Sequence, residues 1–243
     1  MRRAWLVGLL SGGLLLAGGA GPASAQSLYG PGGLFLHPAA QPPPEGQLTP
    51  AILVLPQHNP AARSTRTWIS GSLDYGLTPR LELTATYLKV AGWQRDASLG
   101  GSLKYLLQEE TGGRPALAVG FTQLGGGDVN ARLGFLAAKK SVGRAGRMPL
   151  TLHAGVQYVD ELDGLSRHEF QPFAGFELGI SSRLTFIAEG RPRMNAEFGT
   201  PLALTLSYRA SRSWHLAISW ANNGLSDEPR FGIGAGLALG TRK

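Results

Sequence analysis

The chain has 243 residues, a formal net charge of +7 and no cysteine. The missing cysteines exclude disulfides and thiolate metal sites, and no stretch after the N-terminal region approaches the roughly 18 consecutive apolar residues of a membrane helix. The basic residues are scattered over turns and strand ends rather than clustered, which argues against nucleic-acid binding.

Residues 1–25 have the organisation of a secretory signal peptide. Met1-Arg2-Arg3 is basic, the run AWLVGLLSGGLLLAGGA is apolar, and Ala23-Ser24-Ala25 is a small-x-small cleavage motif. We therefore predict export and cleavage before Gln26; a retained anchor helix is the alternative. No cysteine follows the motif, which excludes a lipoprotein anchor.

Residues 26–48, QSLYGPGGLFLHPAAQPPPEGQL, are dense in proline and glycine. Pro42-Pro43-Pro44 favours an extended polyproline conformation and cannot donate main-chain hydrogen bonds. We predict that this segment is either a disordered leader or a plug. If the domain that follows is a barrel, we expect the leader to pack in or near its periplasmic mouth and occlude it.

From Thr49 to the end, residues 49–243, the sequence alternates strand and turn. In the run Leu81–Tyr87, leucine, alanine and tyrosine fall on one face while glutamate and threonine fall on the other, because residues two apart share a face of a strand. Most predicted strands span about ten residues, the length with which a tilted strand crosses a bilayer. The predicted strands are 49–57, 66–76, 80–90, 97–108, 115–124, 129–141, 148–160, 170–180, 183–192, 201–210, 213–222 and 230–240.

The apolar faces of these strands are large and the opposite faces are polar or rich in glycine. Leu204, Leu206 and Tyr208 exemplify the first kind, and Gly232, Gly234 and Gly236 the second. Apolar residues that face lipid and small or polar residues that line a narrow lumen are typical of outer-membrane barrels. We predict an all-β, transmembrane, antiparallel up-and-down barrel of 12 strands, or of 10 if residues 49–57 and one further segment stay outside. A soluble sandwich or lipocalin-like barrel is the alternative.

The predicted connections alternate between compact turns and longer, more polar loops. The turns are GLTPR, EETGGR, GRAGRM, ISSR and ASRS; the loops are HNPAARST, VAGWQRD, LGGGD, DELDGLSRHE, RMNAEF and NNGLSDEP. Short periplasmic turns and long outer loops are the usual arrangement in such barrels, so we expect both ends of the barrel on the periplasmic side.

Charged residues on the polar faces are the candidate site residues. They are Asp74, Glu82, Lys104, Arg132, Glu177, Glu189, Arg191 and Arg209. Charges in a confined lumen must pair or meet water, so the set predicts either a structural ion-pair network or a selectivity lining for a solute.

The sequence gives little support for catalysis. His215 and Ser219 share a face but lie roughly 13 Å apart along one strand, too far for a nucleophile–base pair, and His153 meets Ser219 only across the barrel. The five histidines are far apart, so we expect no catalytic residues, no metal and no cofactor. A lipid hydrolase remains an alternative function.

Three segments resemble the YjbH-type outer-membrane proteins. GPGGLFLHPAAQPPPEGQL resembles their N-terminal element through Gly33-Leu34, Pro38, Ala40 and Glu45-Gly46. YGLTPRLELTATY is similar to their hairpins, and LTFIAEGRPRMNAEFG, with Glu189, Arg191 and Asn195, is similar to a further segment of that group. The resemblance implies a Gram-negative outer-membrane barrel, tied in some members to exopolysaccharide export.

The expected function is therefore a non-enzymatic outer-membrane barrel, structural or pore-like, that serves export of exopolysaccharide or another solute. The expected partners are outer-membrane lipid, the barrel-insertion machinery, and a polysaccharide or small solute. A soluble periplasmic barrel that binds a small ligand is the alternative from a different class.

Overall fold

The computed structural model describes residues 25–26, 32–59, 63–92, 96–127, 129–145, 148–162, 165–193, 199–224, 226 and 228–240. The predicted signal peptide, apart from Ala25, lies outside these residues, as does Asn195. Within the described ranges, no helix is long and apolar enough to cross a membrane.

Twelve antiparallel strands form a closed barrel, in which each strand pairs with its neighbours in sequence and the last pairs with the first. A separate two-stranded sheet joins β1 (Ala25–Gln26) to β2 (Gly32–Gly33). The barrel strands are β3 (Leu48–Asn59), β4 (Ser64–Thr78), β5 (Leu81–Ala91), β6 (Ser98–Gln108), β7 (Ala116–Gly125), β8 (Ala131–Ala145), β9 (Met148–Leu162), β10 (Leu165–Gly179), β11 (Leu184–Gly190), β12 (Leu202–Arg209), β13 (Trp214–Asn222) and β14 (Arg230–Leu237). The prediction of a 12-stranded barrel is confirmed, and the ten-stranded alternative is wrong.

The alternation of β5 shows which face points inward. Leu83 and Tyr87 are 39 % and 45 % exposed on the outside, whereas Glu82, Thr84 and Thr86 are buried in the lumen. A closed barrel satisfies the main-chain groups of its strands without a free edge, so polar residues can line the interior while apolar residues cover the exterior.

A belt of exposed apolar side chains surrounds the barrel. It includes Ile52, Leu83, Leu99, Leu103, Phe121, Leu136, Leu152, Leu204, Leu206, Leu216, Ile218 and Ile233. Aromatic residues lie near both strand ends, with Tyr75, Tyr105, Tyr208 and Trp214 at one end and Tyr87, Trp220 and Phe231 at the other. Water disfavours so large a contiguous apolar surface, whereas a bilayer with two polar interfaces favours it.

The two ends of the barrel carry different connections. The turn end carries the connections that follow β4, β6, β8, β10 and β12, and the loop end carries the connections that follow β3, β5, β7, β9, β11 and β13. The expectation of a long loop at DELDGLSRHE is wrong, because β9 and β10 continue to Leu162 and from Leu165. The polar residues of that segment belong to a long hairpin, paired through Glu161 and Ser166.

The seam between β3 and β14, which closes the barrel, has little pairing. The paired residues run only from Ala51 to Val54, opposite Gly236 to Ile233. Leu48 exchanges main-chain hydrogen bonds of 2.6 and 2.7 Å with Leu239 of the chain that follows β14. Because every second residue of a strand directs its main-chain groups to the same neighbour, Pro50 and Pro56 also direct their nitrogens toward β14. Proline has no N–H, so neither residue can donate a hydrogen bond across the seam.

Candidate functional site

The lumen of the barrel contains residues 33–47, here named the plug. Leu34, Phe35, Leu36 and His37, at its tip, are each less than 5 % exposed. The tip is a tight turn in which the Leu34 N–H donates to the His37 carbonyl over 2.9 Å. At the turn end, Gly46 N–H donates to the Gly76 carbonyl (2.7 Å) and Gly76 N–H donates to the Gln47 carbonyl (3.0 Å), so the plug joins β3 at this mouth.

The plug tip packs against an apolar layer inside the barrel. Phe35 and Leu36 belong to one buried cluster with the inward-facing Leu53, Leu55, Trp68, Leu88, Val90, Leu124, Leu133 and Val159. These inward apolar residues differ from the expected polar lumen and lie mainly in its loop-end half. In β5, Leu88 and Val90 continue the face that begins with Glu82, so following that face to the strand end would have found them.

Gly76 of the lumen wall is required by the plug. A Cβ at Gly76 would lie 2.8 Å from the Pro43 carbonyl oxygen. A contact this short to a main-chain atom is not tolerated by a real side chain. The missing side chain at Gly76 therefore provides space that the plug backbone occupies.

Glu189 on β11 holds the plug tip through three contacts. Its carboxylate accepts the Leu36 N–H at 2.8 Å and the His37 N–H at 3.1 Å, and it lies 2.7 Å from His37 Nδ1. The Glu189 side chain is 0 % exposed. The His37 ring also stacks on Phe173 at a centroid distance of 4.8 Å. We call this set of contacts the tip clamp.

A second polar cluster holds the plug nearer the turn end. Lys104 Nζ lies 2.6 Å from Glu82 Oε2 with both side chains fully buried, and it donates to the plug carbonyl of Gln41 at 3.3 Å. Thr84 Oγ1 donates to Asp74 Oδ1 at 2.7 Å and lies 3.3 Å from Glu82 Oε1. Asp74, Glu82 and Lys104 thus form one network that contacts the plug backbone through Lys104.

The remaining sequence candidates lie elsewhere. Arg191 is 9 % exposed at the loop end, whereas Glu177 faces the turn-end mouth and lies 3.0 Å from His153 Nε2. Arg209 is exposed at the turn end of β12. The expectation that Arg132 lines the lumen is wrong: this side chain is 48 % exposed and pairs with Asp160 at 2.7 Å.

The placement of Arg132 has a local cause. The inner face of β8 is apolar, with Ala131, Leu133 and Phe135 buried in the lumen. The rule that polar residues point inward therefore predicted that the face with Arg132 lines the lumen, although this face is the outer one. A register shift opposite β9 falls between Arg132 and Leu133.

The histidines and serines considered for catalysis have other partners. His153 contacts Glu177, and the Ser219 hydroxyl lies 2.7 Å from the Thr205 hydroxyl. In the described part of the chain, no three His, Asp or Glu side chains are grouped so as to hold a metal ion.

The loop end contains a cavity, here named the vestibule, that the sequence did not predict. Its volume is about 20 Å3, enough for about one water molecule, and it is lined by Leu36, His37, Leu133, Gln157, Val159, Gln171, Arg191, Pro201 and Asn223. The plug tip forms part of its wall. Glutamine and asparagine have no distinctive spacing in the sequence, so nothing predicted that these amides would converge.

The sequence matches no protein-family model, and it matches no curated protein at a significant level. Among solved structures, the chain is similar to a KdgM porin with a TM-score of 0.53 and 10 % identity, over 79 % of this chain and 99 % of that one. It is similar to a KdgM porin in complex with disordered oligogalacturonate with a TM-score of 0.50 and 12 % identity, over 79 % and 99 %. A NanC porin aligns with a TM-score of 0.49 and 9 % identity, over 80 % and 100 %. At these identities the likeness to the KdgM porins shows a shared barrel fold.

Proposed function

We propose that the protein is a non-enzymatic, pore-like barrel of the outer membrane of a Gram-negative-type cell, closed in its resting state by its own plug. The observation that carries this proposal is the packing of residues 33–47 inside a closed 12-stranded barrel with an apolar outer belt. The protein then acts as a gated channel rather than as an open pore.

The outer belt supports a membrane location over a soluble periplasmic barrel. A soluble protein would expose Leu206, Ile218 and Ile233 to water at 47 %, 59 % and 60 % of their surface. The predicted signal peptide supports export, and the partners that follow are outer-membrane lipid and the barrel-insertion machinery. The partners of His153 and Ser219 give no support to the alternative of a lipid hydrolase.

The contacts of the plug support gating. The plug carries many buried apolar side chains, and in the described part of the chain the wall side chains that bind its backbone include Glu189 and Lys104. A segment held mainly by packing and a few hydrogen bonds can leave when a ligand or partner replaces those contacts, because such contacts each contribute only about 0.5–3 kcal/mol.

We propose a saccharide as the solute. The resemblance to YjbH-type proteins supports export of exopolysaccharide, and the shared fold with a porin that was solved with oligogalacturonate supports a saccharide more generally. Membership of the YjbH-type group is part of this proposal.

Planar-bilayer recording tests the gate. We expect the full mature chain to give small or rare conductance and a variant that lacks residues 33–46 to give a steady, larger one. Heat-modifiable gel mobility establishes that both proteins are folded barrels. Steady, large conductance from the full chain would contradict the plugged state, and recovery of the protein in the soluble periplasmic fraction would contradict the membrane location.

A further inference from the structure

Three exposed arginines lie on two neighbouring turns at the turn end of the barrel. Arg183 lies in the connection between β10 and β11, and Arg209 and Arg212 lie where β12 ends and the chain turns into β13. Neither residues 179–185 nor residues 207–214 contain an aspartate or a glutamate. The three arginines also take part in none of the ion pairs formed by the described residues.

Other arginines at the ends of the barrel have acidic partners. At the turn end, Arg80 lies 3.6 Å from Glu109, and at the loop end Arg132 lies 2.7 Å from Asp160. The turns that follow β10 and β12 therefore differ from these positions, because their positive charge is not neutralised by a carboxylate of the described chain.

The two turns have the same structure. Ser181 and Ser211 each donate the main-chain N–H to the carbonyl three residues further along, at 3.0 and 3.2 Å. Their hydroxyls accept N–H groups of the same turns at 3.0 and 3.2 Å. The Arg209 N–H donates to the Arg183 carbonyl at 2.7 Å and joins the two turns. The arginines thus lie on turns of fixed shape, which reduces the entropy lost when they bind a ligand.

The turns lie directly beyond aromatic residues of the outer belt. Tyr208, which is 41 % exposed, pairs with Leu184, and Trp214 is 36 % exposed. Arg183 lies one residue beyond the level of Tyr208, and Arg212 lies two residues beyond Trp214, so they are roughly 3–7 Å further along the strands. The headgroup layer of one leaflet is about 5–8 Å thick. Since aromatic residues mark the membrane interface, both arginines leave the chain at the depth of the lipid headgroups.

We infer that the two turns bind the phosphate of an anionic phospholipid in the leaflet at the turn end. A guanidinium pairs with two phosphate oxygens through parallel hydrogen bonds, and cations at a membrane surface attract anionic lipids. The rings of Tyr208 and Trp214 provide an apolar surface for the acyl chains of the same lipid. The inference rests on the proposed membrane location, but it is independent of the plug and of the solute.

Arg209 separates this lipid site from an anion site in the mouth of the lumen. It belongs to the lumen face of β12 together with the buried Thr205, and it lies opposite His215, which is 7 % exposed. A lipid on the outside of the barrel should therefore depend on Arg183 and Arg212, whereas an anion inside the mouth should depend on Arg209.

Tryptophan quenching by brominated lipids tests the inference with the full mature chain. The protein is reconstituted in phosphatidylcholine vesicles that contain a small fraction of brominated phosphatidylglycerol or, in a second series, of brominated phosphatidylcholine. Quenching that is absent from Trp214→Phe is assigned to Trp214. We expect brominated phosphatidylglycerol to be preferred beside Trp214 by at least about fivefold, since each arginine near a membrane surface contributes a factor of about five. The double variant Arg183→Gln with Arg212→Gln should lose this preference, and the matched control Arg209→Gln should keep it.

Equal quenching by the two lipids, an unchanged preference in the double variant, or a lost preference in Arg209→Gln would overturn the inference. Full competition by inorganic phosphate would also overturn it, because phosphate shares the anion but not the acyl chains. If the double variant does not fold, as judged by heat-modifiable mobility, Arg212→Gln alone decides, with an expected loss of about fivefold. A chain that prefers the anionic lipid but never conducts would contradict the channel alone. A chain that inserts and conducts but shows no preference would contradict the lipid site alone.

Discussion

At the scale of single residues, two buried charged groups connect the wall of the barrel to the plug. Glu189 binds main-chain N–H groups, and Lys104 binds a main-chain carbonyl. Both therefore bind the backbone of the plug, and Glu189 also contacts the His37 side chain, while Phe35 and Leu36 fill the apolar layer. Polar contacts with Glu189 and Lys104 thus hold the plug at two depths of the barrel, and apolar packing holds it along its length.

Replacement of Glu189 by glutamine is expected to free the plug tip. The variant keeps one acceptor oxygen but loses the charge, and its amide group opposes the N–H donors of Leu36 and His37. The free energy that holds the tip should fall by about 1.5–3 kcal/mol, the range for hydrogen bonds to charged groups. Hydrogen exchange at the Leu36 and His37 amides should accelerate accordingly. Glu177→Gln, which affects a pair with His153 instead, should leave this exchange unchanged.

Lys104→Met is expected to destabilise the whole barrel. The substitution leaves Glu82 and Asp74 in a confined lumen without their buried cation, and removal of one partner of a buried pair typically costs about 3–5 kcal/mol. Urea unfolding in lipid vesicles measures the loss. The double variant Lys104→Met with Glu82→Gln should recover part of it. Equal stability of wild type and Lys104→Met would show that the pair contributes nothing.

At the scale of elements, each barrel strand has a lipid-type face and a lumen face. The positions of the aromatic residues along the lipid-type face indicate how deep each residue lies in the membrane. In β12 and β13, Leu206 lies opposite Ile218, between the levels of Tyr208 and Trp220. Aromatic residues at both levels mark the interfaces of a membrane barrel, so Leu206 lies near the middle of the belt.

Leu206→Arg is therefore expected to destabilise the barrel by about 2–4 kcal/mol, the range for arginine on the lipid face near mid-bilayer. The matched control is Ile180→Arg, at an exposed position in a turn, for which about 0–1 kcal/mol is expected. Folding free energies of both variants in vesicles provide the comparison. Similar values for the two would contradict the assignment of depth and of the outer face.

The sequence predicted strands well because alternation is a local property. The run Leu81–Tyr87 alone identified both faces of β5, and all twelve barrel strands followed from the same pattern. Arg132 was misplaced because β8 has apolar residues on its inner face, so alternation no longer tells inside from outside. The tip clamp joins Leu36 to Glu189 across 153 positions, and no local pattern encodes such a contact. The vestibule amides likewise converge only in the folded barrel.

At the scale of the whole molecule, the barrel has an uneven wall. β8 and β9 pair along almost their full length, whereas β3 and β14 pair only from Ala51 to Val54. Pro50 and Pro56 remove two donors from the same side of β3. The seam is therefore the place where the closed sheet opens with the smallest loss of hydrogen bonds.

Hydrogen exchange should reveal this weak seam. We expect the amides of Ile52 and Val54 to exchange faster than those of the β8–β9 pair in the folded protein, because local opening breaks fewer bonds there. Pro56→Thr supplies a missing donor on the side of β14 and should slow exchange at Val54. Uniform protection around the barrel, or no effect of Pro56→Thr, would refute a weak seam.

The place of the plug in the chain also determines how the molecule can be assembled. Residues 33–47 run directly into β3, and β3 forms the seam with β14, its most distant partner in sequence. Closing so long a loop carries the largest entropic penalty, so we expect this pairing to form last. While the sheet is still open, its curved inner surface is accessible. The plug can pack against this surface, and the remaining strands can then close around the plug. The segment that fills the lumen of the finished barrel is thus expected to act earlier as a template for the diameter of the barrel.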